Sequence, residues 1–200
     1  MGKIANEDVL AKISAKFADT VTVVGEPFGL PTLETGREQI IDVLGFLKND
    51  PVLQFIYLTD ITAIHYPEQE KQIGVIYHLH SLVNNLRIRI KVFLVDGDTN
   101  IPTATDLWNG ANWMERETYD FFGVIFTGHP DLRRILTDYG FDGHPLRKDF
   151  PMTGFVEVRY DDEEKRVRYE PVRLSQEFRQ FDFLSPWEGA TLPGDEKAGK

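Results

Sequence analysis

The residues best suited to chemistry cluster between Glu115 and Pro151, in ERETYDFFGVIFTGHPDLRRILTDYGFDGHPLRKDFP. His129 and His144 lie among Asp131, Asp138, Asp142 and Asp149, a residue set that in a hydrolase could hold a metal and activate water. No H-E-x-x-H or comparable ligand spacing accompanies them. Arg133, Arg134, Arg147 and Lys148 could clamp an anion through bidentate bonds. However, no phosphate-binding glycine loop is present, and each basic pair has its own acid nearby, Asp131 for the first and Asp149 for the second. An internal ion-pair network or a protein interface is the better use of them. Glu115, Glu117 and Asp120 could do acid–base work. Yet Arg116 and Asp120 stand four residues apart, the spacing of a pair along a helix surface, worth only ~0.3–0.5 kcal/mol when exposed. Structural use therefore outranks catalysis, and no nucleophile–base pair is evident.

Two further groups have simpler uses. His78 and His80 share one face of a strand and read as part of a polar sheet surface. Trp108 and Trp113 bracket Asn109-Gly110-Ala111-Asn112, and their default role is packing at the entry to a helix.

These residues must be held by the elements around them. Residues 7–17 read as an amphipathic helix, Thr20–Val24 as a short strand, Gly25–Pro31 as a turn region and 32–35 as another short strand. Thr35-Gly-Arg-Glu38 has the pattern of a capping box. Ile40, Ile41, Leu44 and Leu47 follow at helical spacing, with Pro51 just past the helix end. Gln54–Tyr66 and Ile73–Leu82 read as strands. Asn84-Asn85 reads as a hairpin turn, because Asn tolerates positive φ. From Leu86 to Leu94 apolar residues alternate with Arg87, Arg89, Lys91 and Phe93, so one face is core. Residues 107–122 form the next helix, with Gly123 as its stop. The hairpin indicates an α+β fold with a mixed or antiparallel sheet and helices packed on one face. After Pro151, Val156–Tyr160 and Val167–Glu170 flank a charged turn and suggest an exposed ribbon, marginal alone in water. The end carries Phe181, Phe183 and Trp187 among Pro and Gly, a composition suited to anchoring on another surface. The domain reading is a core over 1–151, including the segment 115–151, and an extended ribbon and tail over 152–200 that docks on partners.

Composition narrows the function classes. Two hundred residues with 42% hydrophobic content can bury one real core. Net charge is −10 with no basic tail or Lys/Arg block, against nucleic-acid binding. The chain has no cysteine, so disulfides and thiolate-held zinc or iron–sulfur clusters are excluded on it. No apolar run approaches a membrane span, and Glu7 and Asp8 sit in an N-terminal stretch without a signal-peptide core.

Glu115-Arg-Glu117, Asp120-Phe-Phe122, His129, Arg133, Ile135 and Leu136 carry more than physics alone. At these spacings, with the continuation to Pro151 and the tail EPVRLSQEFRQFDFLSPWEG, the sequence resembles the 30 kDa-type subunit family of respiratory complex I, in its alphaproteobacterial and mitochondrial branch. The likeness is strong from about Ile101 to Gly189 and weaker over 7–100. It implies an α+β protein of the peripheral arm that assists NADH oxidation and quinone reduction coupled to proton pumping. It also implies no cofactor on this chain, with FMN, iron–sulfur clusters and quinone held by other subunits. The implied partners are the large quinone-site subunit (D type) and cluster-bearing neighbours (B, I and G types). The equivalent subunit of a complex I relative, such as a membrane-bound hydrogenase, is the alternative. The resemblance makes Glu115, Arg116, Glu117, Asp120, His129, Arg133, Arg134, Arg147, Lys148 and Asp149 the expected signature and interface residues, with none catalytic and none binding metal or cofactor. The Met1 start without a presequence favours a bacterial protein on the cytoplasmic side of the inner membrane, held there by the complex; in an organelle the corresponding place is the matrix side.

Overall fold

The protein is described by a computed structural model covering residues 4–176. The chain divides into two compact units, 1–152 and 153–200.

The first unit opens with helix α1 (Asn6–Phe17), which buries Val9 and Ile13. Strand β1 (Val21–Gly25) turns back through a 3-10 turn into β2 (Thr32–Thr35). Helix α2 (Ile40–Asn49) buries Ile40, Val43, Leu44 and Leu47, the stripe its spacing predicts. Three nine-residue strands follow, β3 (Tyr57–His65), β4 (Ile73–Ser81) and β5 (Leu86–Leu94). The sheet order is β1-β2-β5-β4-β3. Every neighbouring pair is antiparallel except β2 and β5, which run parallel. The α+β class with a mixed sheet is thus the fold observed.

Alternation explains where the core sits. Cross-strand rows such as Ala63–Val75–Val92 and Ile61–Tyr77–Ile90 put β-branched and aromatic side chains on one face. That face shares a single apolar core with Val9 and Ile13 of α1 and the buried stripe of α2. The opposite face carries His78, His80, Arg87, Arg89 and Lys91 in the intervening rows. There Arg89 donates to His78 Nε2 at 3.1 Å. Burial first, and then the Arg89 charge, lower the His78 pKa from its usual value. That histidine acts as a neutral acceptor on a polar sheet face.

Three boundaries depart from the sequence reading. The Thr35–Glu38 capping box does not form. Thr35 instead donates its hydroxyl to the Thr20 carbonyl at 3.0 Å, tying β2 to β1's entry, and α2 begins only at Ile40. β3 starts at Tyr57 rather than Gln54, because Asp50 captures the amides of Val52 and Leu53 at 2.8 and 2.9 Å and folds the chain into a turn. The third helix, α3 (Ala111–Phe122), starts four residues later than 107. Trp108 lies before it and donates its indole N–H to the Ile56 carbonyl at 2.8 Å.

Two short parallel strands flank α3, β6 (Asn100–Pro102) before it and β7 (Ile125–Thr127) after it. This small β–α–β unit fixes the C-terminal end of the helix. Thr99 donates its hydroxyl to the Gly123 carbonyl at 2.8 Å, and Ile125 donates its N–H to the Thr99 carbonyl at 3.1 Å. Gly123 ends the helix at φ 77°, and a Cβ there would meet the His144 ring at 2.7 Å. Both facts require glycine.

The second unit is described over 153–176. Strands β8 (Val156–Asp161) and β9 (Arg166–Pro171) pair antiparallel. The register sets Val158 opposite Tyr169 and Tyr160 opposite Val167, and all four are more than half exposed. Arg168 bonds Asp161 at 2.8 Å across the turn. Phe181, Phe183 and Trp187 lie outside the described residues.

Candidate functional site

Helix α3 carries the signature, and its spacing splits the charged residues among three directions. Residues 115, 118 and 122 face the sheet, 116 and 120 face the loop that follows β7, and 113 and 117 face outward. Thr118 donates to the Ile61 carbonyl of β3 at 3.2 Å, while its hydroxyl also lies 2.8 Å from the Met114 carbonyl.

Asp120 is fully buried and organises the loop. One carboxylate oxygen accepts the backbone N–H groups of Ile135, Leu136 and Thr137 at 3.1, 2.8 and 2.8 Å. The other accepts Arg134 at 2.8 Å and the Thr137 hydroxyl. Three successive amides pointing at one oxygen form a nest for an anion. Burial pushes the Asp120 carboxyl upward. The Thr137 hydroxyl and amide, the Leu136 amide and Arg134 outweigh that and hold it far below the ordinary carboxylate range. Arg134 continues inward to the Gly143 carbonyl at 2.9 Å. The Nδ1–H of His144 bonds the Asp120 carbonyl at 3.0 Å.

Arg116 does not pair with Asp120, as their i, i+4 spacing suggested. It donates to the carbonyls of Arg133 and Arg134, both at 3.2 Å, and its guanidinium lies 5.3 Å from the Trp113 ring centre. Asp120 prefers Arg134 because the loop brings that guanidinium together with three amides, a denser set of donors than one helix neighbour provides.

Glu115 is also fully buried but meets only neutral donors. It accepts the Thr103 hydroxyl at 2.5 Å and the Ala104 amide at 2.6 Å, pinning α3 to the segment after β6. Burial raises its pKa to about 7, against the smaller pull of those two bonds. Tyr77 of β4, whose buried hydroxyl has no hydrogen-bond partner among the described residues, is itself pushed well up by burial and by the Glu115 charge.

The far end of the signature is tied to the sheet. Arg147 pairs with Asp96 at 2.6 Å and lies 3.6 Å from Asp149. The Lys148 amide donates to His65 Nδ1 at 2.9 Å, while the other ring nitrogen of His65 bonds Gln72 at 3.3 Å. Arg133 pairs with Asp131 at 2.8 Å on the surface. His129 uses both ring nitrogens on backbone, Nε2–H toward the Asn112 carbonyl at 3.2 Å and Nδ1 accepting the Asp131 amide at 3.0 Å. Backbone thus occupies the nitrogens that a metal would need. Among the described residues no three His, Asp or Glu side chains are grouped to hold an ion. The hydrolase reading of His129, Asp131, His144 and Asp149 therefore has no geometry behind it, and Arg133, Arg134 and Arg147 turn to different partners rather than converging on one anion.

Sequence reasoning missed Thr103, Thr137, Asp96 and His65, which complete these bonds from outside the motif or from its loop. Their one sequence signal is polarity next to strand ends, which many surface residues share. Glu117 and Trp113 stand out in the sequence one by one, but the outward face they share emerges only from the fold.

The arrangement is a brace. Buried charges on one helix hold a long irregular loop. The chain is similar to known proteins over most of its length. Residues 33–156 match the family model described as respiratory-chain NADH dehydrogenase, 30 Kd subunit. The chain is 58% identical over 193 residues to the C subunit of the NADH-quinone oxidoreductase of Xanthobacter autotrophicus, covering 96% of this chain and 92% of that one. It is 55% identical over 199 residues to the corresponding C subunit from Brucella ovis, covering 96% and 98%. Among solved structures, the trypsin-resistant fragment of Nqo5 aligns at TM-score 0.54 and 32% identity, over 63% of this chain and 98% of the fragment. A chain of the membrane-bound sulfane sulfur reductase, an archaeal respiratory membrane complex, aligns at TM-score 0.62 and 28% identity, over 73% and 85%. With the family model spanning well over half its length, the chain belongs to the 30 Kd subunit family of the respiratory-chain NADH dehydrogenase.

Proposed function

We propose that this chain is a peripheral-arm structural subunit of a proton-pumping NADH:quinone oxidoreductase, supporting electron transfer from NADH to quinone without performing a redox step. The observation that carries this reading is the near full-length similarity to the C subunits of that enzyme. The internal use of the signature charges supports it, since Glu115, Arg116, Asp120, Arg134 and Arg147 all brace the fold. No helix among the described residues is long and apolar enough to cross a membrane. The chain then reaches the cytoplasmic face of the inner membrane through its neighbours, the quinone-site subunit and cluster-bearing subunits. The ribbon at 156–171 exposes Val158, Tyr160, Val167 and Tyr169 and fits a docking role for the segment after residue 151.

The test is assembly. Arg134→Ala should lower the amount of complex recovered from mildly solubilised membranes, while complexes that do form keep near-normal NADH:quinone turnover per cluster. Normal assembly with lost quinone reduction would point instead to a direct part in the reaction. The likeness to the sulfane sulfur reductase chain favours a second reading, the equivalent subunit of a complex I relative. Identifying the electron-input subunits of the purified complex separates the two.

A further inference from the structure

The charges of α3 divide into those the chain satisfies and one it leaves over. Glu115 and Asp120 are enclosed by donors, and Arg116 is spent on two carbonyls. Glu117 is exposed and has no partner of its own among the described residues. One helical turn before it, on the same face, Trp113 is 63% exposed. The Trp113 ring is not a loose surface group. The buried Arg116 guanidinium lies against it at 5.3 Å and is itself held by the carbonyls of Arg133 and Arg134. The indole is thus propped on one side by a fixed cation, with its remaining surface beside a carboxylate that nothing in the described chain neutralises.

Tryptophan, with tyrosine and arginine, is enriched at the energetic centre of protein interfaces. A planar guanidinium fits both components at once, stacking on an indole and bonding a carboxylate with two N–H groups. An ammonium meets the carboxylate alone as a point charge. We infer that Trp113 and Glu117 form a receptor for an arginine side chain presented by a neighbouring subunit. This rests on the assembly reading above and deepens it by naming the surface and the chemistry of its occupant. The acidic balance of the chain, −10 overall, agrees with a basic segment as the partner.

The experiment uses the whole complex in mild-detergent membranes. With p-benzoylphenylalanine in place of Trp113, illumination should cross-link the chain to another subunit through a peptide that contains arginine. In parallel, Glu117→Gln should release the chain from the complex at lower KCl than the wild type, with roughly tenfold weaker retention. Glu117→Asp should recover part of that retention. The thermal midpoint of the isolated Glu117→Gln chain should equal the wild type, because no intrachain bond is lost. Cross-links confined to this chain's own residues 177–200, cross-links to a segment without arginine, or unchanged salt release would each overturn the inference. Absence of any cross-link from the p-benzoylphenylalanine chain, while the wild-type chain is retained in the complex, overturns the inference alone. A wild-type chain missing from the complex overturns the assembly reading as well.

Discussion

Two carboxylates on one helix, five residues apart and both sealed from water, are driven in opposite directions. Asp120 sits among a guanidinium, a hydroxyl and three amides and is held far below the usual carboxylate pKa. Glu115 sits between one hydroxyl and one amide, with the core tyrosine nearby, and rises to about 7. Burial pushes both carboxyls upward, and the donors around each decide whether that push is overcome. The number of donors and the presence of a cation decide it. The C-terminal half of α3 is an ionic clamp on the loop, and the N-terminal half is a nearly neutral pin to β6.

If that contrast is right, the clamp should be the more costly to break. Asp120→Ala leaves Arg134 partly buried without its acid and frees three loop amides. We expect a loss of about 3–5 kcal/mol, the range for removing one partner of a buried pair. Urea unfolding of the full chain measures it. A loss below about 1 kcal/mol would mean that the loop is ordered without Asp120. Because the folded pKa of Asp120 is depressed, its stabilisation is present above its unfolded value of 3.8 and fades as pH falls through the lower folded value. The clamp should therefore weaken only in strong acid.

The pin should behave with the opposite sign. Raising the folded pKa of Glu115 from 4.5 to about 7 gives stability that is fully present below pH 4.5 and is lost as pH rises through 7. The span corresponds to about 3 kcal/mol at most. Glu115→Gln removes this titration. Between pH 5 and 8 the wild type should lose roughly 2–3 kcal/mol more than the variant, and the two unfolding curves should converge on the acid side. Parallel stability–pH curves would show that Glu115 stays charged in the fold, and the contrast with Asp120 would collapse.

How much of this was readable from residues alone follows the same division. Strands β4 and β5 and the stripe of α2 obey local periodicity, because each buries one face against one core. The glycine stop at 123 was legible because left-handed backbone has a sequence signature. The partner of Arg116 was not legible. The i, i+4 rule sees only the helix, whereas Asp120 had a better set of donors fourteen to seventeen residues along the chain. The Thr35–Glu38 box failed for a similar reason, since the Thr35 hydroxyl found a strand-pairing partner in the Thr20 carbonyl. Periodicity reads which side of an element is buried. It does not read which of several polar groups will win a buried donor, because that choice is made by loops closing at long range.

The smallest expected effect probes what lies under the pin. Tyr77 fills the core at the centre of β4, and its hydroxyl is buried without a hydrogen-bond partner among the described residues while it feels the Glu115 charge. A hydroxyl in that state costs desolvation and returns nothing, so Tyr77→Phe should be neutral or stabilising by about 1 kcal/mol rather than destabilising. The phenylalanine keeps the ring and its packing against the Ile61 and Ile90 row. The informative measurement is the pH dependence of the variant. If the tyrosine dipole helps to hold the Glu115 proton equilibrium where it is, the mid-slope of the stability curve near pH 7 shifts in Tyr77→Phe. If it only fills space, the whole curve rises without changing shape. A clear loss of stability would instead mean that the hydroxyl is satisfied, and the neutral character of this half of α3 would have to be assigned to Thr103 and Ala104 alone.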